Sequence, residues 1–283
     1  MSPFELVAPT TPEEAVAALR AGPPGETAVV AGGTDLLLDV EGGRTAPTRV
    51  VSLRRLPWRT LDWNGPTLTV GSMLPLRSLE LDPEVRARMP GLYDAVRAVG
   101  SIALRHRATL GGNLGRSAPA SDLVPVLLVL DAEVDLVGPL GARSVPVDQF
   151  VRASRATALG PHELIRSVRC PEARPSAYLW QRVRPSNDIS QIAVAVAFSP
   201  SGRRWSVAVG GVPPRPVLLP EVAETLGSGR PTDAAVRRAI AGAARSVPIA
   251  ADRRASEEYR RHLVGTLLDR AVRRLATRPE VPA

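Results

Sequence analysis

Two pairs of consecutive glycines constrain this chain more than any other feature. The first, Gly32-Gly33, ends the apolar run Val29-Val30-Ala31 and is followed by Thr34, Asp35 and the apolar Leu36-Leu37. A strand that stops at a double glycine and passes into an apolar segment reads as strand, tight turn and helix. Glycine admits backbone conformations and close approaches that other residues do not, and successive N–H groups in such a turn make a concavity for anions. Taken alone, the pattern fits two readings: a tight turn with Thr34 as helix N-cap, or a phosphate cradle. It is not the dinucleotide fingerprint, which requires G-x-G-x-x-G, and a chain without lysine holds no P-loop. The second pair lies in Thr109-Leu110-Gly111-Gly112-Asn113 and runs on through Arg116, Ser117, Ser121 and Asp122 to an apolar helix at 123–130. One long loop dense in hydroxyls and amides, with a carboxylate at its end, offers what a sugar–phosphate ligand requires.

Composition narrows the setting. A chain of 283 residues, 44% hydrophobic and 23% charged, builds a sizeable core without disulfides. The single cysteine, Cys170, permits no internal disulfide and no thiolate cluster for zinc or iron–sulfur, which points to a reducing, cytoplasmic setting. The three histidines, His106, His162 and His262, have no paired metal-ligand spacing. All 36 basic residues are arginine and the net charge is +8. The arginines are scattered, and aromatics make up only 4%, so a nucleic-acid surface is not indicated. Docking to an acidic protein stays open. The N-terminal stretch lacks the pattern of a secretory signal, and the longest apolar run is far short of the ~20 residues of a membrane span.

The chain divides into three regions, at 1–56, 57–175 and 176–283. In the first, Thr11-Pro12-Glu13-Glu14 is a helix start with Thr11 as N-cap, and strands are expected at 4–7, 27–31 and 49–53. In the second, one helix is expected over 85–99, with strands near 68–71, 133–137 and 164–170. In the third, three strands at 177–183, 189–198 and 205–209 precede helices, ending in one over about 255–277.

Together the two glycine segments resemble the paired FAD-binding motifs of the xanthine dehydrogenase and carbon monoxide dehydrogenase medium-subunit family, A-G-G-T/H-D/S-L-L and T-I/V-G-G-N with a downstream S/A-D. The likeness continues through Glu163-Leu164-Ile165-Arg166, Asp188-Ile189-Ser190, Gly210-Gly211-Val212-Pro213 and Arg254-Ala255-Ser256-Glu257-Glu258-Tyr259-Arg260. The resemblance implies an α+β, p-cresol methylhydroxylase-type fold: two α/β FAD-binding subdomains and a C-terminal α+β domain with a three-stranded antiparallel sheet.

By position, Ala31, Gly32, Gly33, Thr34, Asp35 and Leu36 would hold FAD on one side, with Thr109, Gly111, Gly112 and Asn113 on the other. Asp122 would accept from a sugar hydroxyl and Ile165 would pack on the cofactor. Trp180 replaces a lysine found in many relatives, which would alter the flavin's tuning or its acceptor; plain strand packing is the other reading of Trp180 and Tyr178. The resemblance further implies an oxidoreductase subunit with no catalytic residue or metal site of its own. A large partner would carry a molybdopterin-type molybdenum cofactor and a small one [2Fe–2S] clusters, in a heterotrimer or a dimer of heterotrimers without a membrane span. The alternative is a self-sufficient FAD-dependent oxidase or reductase of the same fold, although no acid or base suited to it stands out.

Overall fold

The first glycine pair hangs from a sheet of three short parallel strands. A computed structural model describes residues 3–23, 25–184 and 187–282. Of the stretch read for a secretory signal, Met1 and Ser2 lie outside the described residues. Strands β1 (Glu5–Val7), β2 (Thr27–Val30) and β3 (Arg49–Ser52) are ordered β1-β3-β2, with helices α1 (Pro12–Ala21) and α2 (Leu36–Glu41) between them. The start of α1 is a full capping box: Thr11 Oγ1 accepts from the Glu14 N–H at 3.1 Å, and Glu14 reaches back to the Thr11 N–H. Ala15, Val16 and Leu19 are the buried stripe of α1 and pack beside Val51 of β3.

The second sheet comprises β4 (Leu61–Asn64), β5 (Thr67–Gly71), β6 (Glu133–Gly138), β7 (Gly141–Pro146) and β10 (Leu164–Cys170), in the order β4-β5-β10-β6-β7 and antiparallel throughout. A small hairpin, β8 (Val151–Ala153) with β9 (Ala156–Thr157), follows a short helix α9 (Val147–Phe150). Between β5 and β6 run α3 (Leu76–Leu81), α4 (Pro83–Arg88), α5 (Pro90–Ala98), α6 (Ile102–Arg105), α7 (Leu110–Arg116) and α8 (Leu123–Val129). The single helix expected over 85–99 is two, because Pro90 lacks the N–H that would continue α4 and instead opens α5. The second glycine pair is not in a loop. Gly111 and Gly112 form the first turn of α7, whose N-cap Thr109 accepts from the Gly112 N–H at 3.0 Å.

The third sheet is β11 (Ser176–Gln181), β12 (Ile192–Ser199), β13 (Arg204–Gly210) and β14 (Val217–Leu218), antiparallel in chain order. The fourth strand, two residues long, is too short to leave an alternating pattern in the sequence, and it extends the three strands expected. Helices α10 (Pro220–Glu224), α11 (Asp233–Ser246) and α12 (Glu257–Ala276) complete the region.

Strand β12 is buried on both faces, and its alternation is one of size. Ala193, Ala195 and Ala197 turn to the core of the second region, whereas Ile192, Val194, Val196 and Phe198 turn to the core shared with α11 and α12. Small side chains on one face let α5 and α8 lie close to the sheet. The approach is tight enough that a Cβ on Gly210 would fall 2.6 Å from Pro125 of α8, and one on Gly91 of α5 2.9 Å from the Ser176 Cβ.

Candidate functional site

The two glycine segments face each other across a cleft of about 340 Å³ between the first and second sheets. One wall runs from Val29 at the end of β2 through Ala31, Gly32, Gly33, Thr34, Asp35 and Leu36 into α2. The opposite wall holds Thr109, Gly111, Gly112 and Asn113, and Ile165 of β10 contributes with Leu164. Eleven of the thirteen residues expected at the cofactor therefore line one concavity. The two others, Asp122 and Trp180, do not line it.

The glycines have different duties. Gly33 takes φ +79°, where a side chain is strained. Gly32 packs against backbone, since a Cβ there would lie 2.0 Å from the Arg107 carbonyl oxygen. Gly111 is pressed on Ser72 in the same way, its Cβ position 2.5 Å from the Ser72 Cβ. The first contact brings the two walls together, and the second seats α7 on the end of β5. Gly112 meets only the Thr109 Oγ1 at 3.0 Å and the Ala31 Cβ at 3.6 Å, so it keeps the cleft open.

Three observations test whether these residues suit a flavin dinucleotide. Among the described residues, the N–H groups of Gly32, Gly33, Thr34 and Asp35 find no protein acceptor. Four consecutive free amides with a left-handed residue inside the run form a nest for a diphosphate. The Ser72 Oγ, buried in the wall, has no hydrogen-bond partner in the protein and is left available to a ligand in the cleft. The remaining lining, including Leu53, Val99, Leu104 and Leu159, is apolar and suits a ring system. The donor set and the apolar lining fit FAD.

Asp39, which sequence reasoning missed, lies in the cleft wall on α2, with its carboxylate 5% exposed. It bonds Arg116 of α7 and Arg44, and Arg155 stands 3.4 Å away. Hydrogen bonds from Arg116 first, then Arg44, hold its pKa down to about 2. Arg116 also reaches Asp35 at 3.4 Å, so this knot ties the walls together from two carboxylates and three guanidinium groups and leaves net positive charge for an anion. A lone aspartate in the apolar run 36–40 was the available signal. Asn113 is fixed in orientation by the Ser121 Oγ, which donates to its Oδ1 at 2.6 Å and leaves its NH₂ free to donate elsewhere.

Asp122 sits instead in a knot between the second and third regions. Its Oδ1 accepts from Tyr178 Oη at 2.6 Å and Ser190 Oγ at 2.7 Å, and its Oδ2 accepts from Arg182 at 2.9 Å. With both oxygens engaged by protein donors, it has little left for a sugar hydroxyl. Burial, then the neighbouring Asp122 charge, pushes the Tyr178 hydroxyl well above its ordinary range, so it stays a proton donor in this knot. Trp180 is half-buried, stacked on Tyr178 with centroids 5.5 Å apart, and the Arg182 guanidinium lies over the Trp180 ring, 5.5 Å from its centroid. Of the remaining side chains considered from sequence, His106 is exposed after α6 and His162 sits in a turn at φ +63°. Cys170 is buried, and burial raises its thiol pKa to about 12.

Comparison with known proteins identifies the family. Residues 2–173 match the FAD binding domain in molybdopterin dehydrogenase, and residues 177–275 match the CO dehydrogenase flavoprotein C-terminal domain. The chain is 29% identical to the carbon monoxide dehydrogenase medium chain of Hydrogenophaga pseudoflava, over 95% of this chain and 96% of that one. It is 31% identical to the nicotinate dehydrogenase FAD-subunit of Eubacterium barkeri, over 82% of this chain and 81% of that one. In structure it resembles a chain of the carbon monoxide dehydrogenase of Hydrogenophaga pseudoflava with a TM-score of 0.90 at 27% identity, covering 97% and 98% of the two chains. The chain belongs to the FAD-binding medium-subunit family of the molybdopterin dehydrogenases, a family of oxidoreductase subunits.

Proposed function

We propose that this chain is the electron-relaying flavoprotein subunit of a cytoplasmic molybdenum hydroxylase. The reading rests chiefly on the run of unpaired amides from Gly32 to Asp35, held opposite the second glycine pair. In it, Gly32, Gly33, Thr34 and Asp35 hold the diphosphate, with Thr109, Gly111, Gly112 and Asn113 closing the far side. Ala31, Leu36 and Ile165 give apolar contact, and Ser72 supplies a hydroxyl. The regions 1–56 and 57–175 then act as the two cofactor-binding subdomains and 176–283 as the domain that buttresses the second.

FAD, when bound, supplies the redox chemistry, accepting electrons from [2Fe–2S] clusters of a small partner and delivering them to an external acceptor. The molybdenum cofactor would belong to a large partner, in a heterotrimer or a pair of heterotrimers, as the medium-chain names of the relatives suggest. The residues of this chain bind, orient and exclude water, and none is required to move a proton. The arrangement favours relay over self-sufficient oxidation, because the ionisable groups of the cleft wall are consumed in ion pairs: Asp39 and Asp35 with Arg116, and Glu163 with Arg143.

The deciding experiment is a visible spectrum of the purified chain, with the released cofactor identified by chromatography. A yellow protein releasing FAD at one equivalent, reduced by its iron–sulfur partner but by no small substrate alone, is the expected result. A chain that takes up no FAD, even assembled with its partners, would overturn the reading.

A further inference from the structure

On the far side of the first glycine turn lies a second cavity, of about 210 Å³, that the flavin reading does not use. It shares Ala31, Gly32 and Thr109 with the cofactor cleft, so a thin wall of backbone separates the two. Its charged lining comes from Arg54 and Arg59, after β3, and from His106 and Arg107, between α6 and α7. Among the described residues, no carboxylate lines it.

The contrast with the surroundings gives this cavity its meaning. Around the cofactor cleft the cations are paired with carboxylates: Arg44, Arg116 and Arg155 share Asp39, Arg116 also reaches Asp35, and Arg143 holds Glu163. Among the described residues, Arg54, Arg59 and Arg107 have neither a salt bridge nor a side-chain hydrogen bond. Three exposed arginines lining one concavity without a carboxylate raise its local potential, which favours an anion there. A single carboxylate leaves two charges unbalanced, whereas a phosphate or diphosphate supplies both the charge and the paired oxygens that guanidinium forks bind bidentately. The volume admits that anionic end and no more, being below the ~300–1,000 Å³ of a pocket for a whole drug-sized ligand.

From this geometry we infer a second anion site, formed by Arg54, Arg59, His106 and Arg107, that binds the phosphate or diphosphate end of a phosphorylated small molecule. The phosphate belongs to a ligand other than the flavin, whose diphosphate the proposed function seats on the amides of Gly32, Gly33, Thr34 and Asp35, and the test separates the two. It is also independent of the flavin reading, since flavin content and anion binding are measured separately on the same sample.

The FAD-loaded full chain is titrated calorimetrically with sodium pyrophosphate at constant ionic strength, beside sulfate and chloride. One saturable site is expected, tighter for pyrophosphate than for sulfate. Arg59→Ala and Arg107→Ala should each weaken it by about tenfold, the scale of one lost charge-assisted hydrogen bond, with flavin content unchanged. Arg237→Ala, on α11 away from the cavity, should leave it as it was.

Binding by the FAD-free chain that vanishes on loading would assign the anion to the cofactor cleft and overturn the second site. Equal, weak responses to all three salts would reduce it to an adventitious ion only, and it falls. Variants that bind pyrophosphate like the parent would also overturn it. So would a parent that binds none while the variants fail to assemble with the partner subunits, since the patch would then be a protein-docking surface.

Discussion

Replacing Asp122 separates the position expected from sequence from the one the structure shows. In Asp122→Ala, Tyr178 and Ser190 lose their acceptor and Arg182 loses the one carboxylate it meets among the described residues, while the Arg182 side chain is 6% exposed. Removing one partner of a buried, hydrogen-bonded ion pair costs about 3–5 kcal/mol, because the other charge is left without compensation. That is a large part of the ~5–15 kcal/mol that holds a typical domain together. At about 2 °C per kcal/mol for a chain of this size, the melting temperature should fall by about 6–10 °C. Asp122→Asn keeps an oxygen for Tyr178 and Ser190 but presents no charge to Arg182, so a smaller loss of about 1.5–3 kcal/mol is expected. Thermal melts followed by circular dichroism give the stabilities. FAD titration at 10–15 °C, where both variants are folded, gives the affinities, which should stay within a factor of about three of the parent, the context spread of a contact not directly lost. If the melting temperatures hold and FAD affinity falls more than tenfold, Asp122 is a cofactor ligand and the interdomain knot is not what it does.

Gly33→Ala places a Cβ at φ +79°, at a cost of about 1–2 kcal/mol, and distorts the amide run, so FAD should bind roughly tenfold more weakly in fluorescence titration; parental affinity would remove the nest from the site. Asp39 has its folded pKa depressed to about 2, so its stabilising effect is present above the unfolded value near ~4 and is lost as pH falls toward 2. The acid limb of melting temperature against pH should accordingly be shallower in Asp39→Asn than in the parent between about pH 4 and 2; identical limbs would refute the pairing. Cys170, buried with its pKa raised to about 12, should resist a thiol reagent at pH 8 until urea unfolds the chain, and rapid labelling of the native protein would contradict its burial.

Local chemistry made some of this fold readable. The Thr11 capping box, the two glycine pairs and the apolar helix before Leu130 each carry their structure within a few residues. Edge strands did not: β4 and β7 pair along one side only, β4 alternates half-buried Leu61 and Trp63 with exposed Asp62 and Asn64 over just four residues, and β7 buries only Val145. Pro90 could have announced the break between α4 and α5, but the apolar spacing ran straight through it. At the site, the glycine walls were legible because backbone approach demands glycine. Asp39 and Ser72 were not, since their roles come from Arg116 and from a cleft formed by segments distant in sequence. The knot around Asp122 was hidden for the same reason: its partners Tyr178, Arg182 and Ser190 lie more than fifty residues further on.

The alternating strand β12 has a consequence for how the molecule comes apart. A strand whose one face completes one core and whose other face completes the next cannot be withdrawn from either alone. The second and third regions therefore melt as one cooperative unit, and a stress on α12 is felt at α8 through a single layer of backbone. Any opening that admits or releases a cofactor is expected on the other side, where the first region meets the second through a smaller apolar cluster, glycines and an arginine knot.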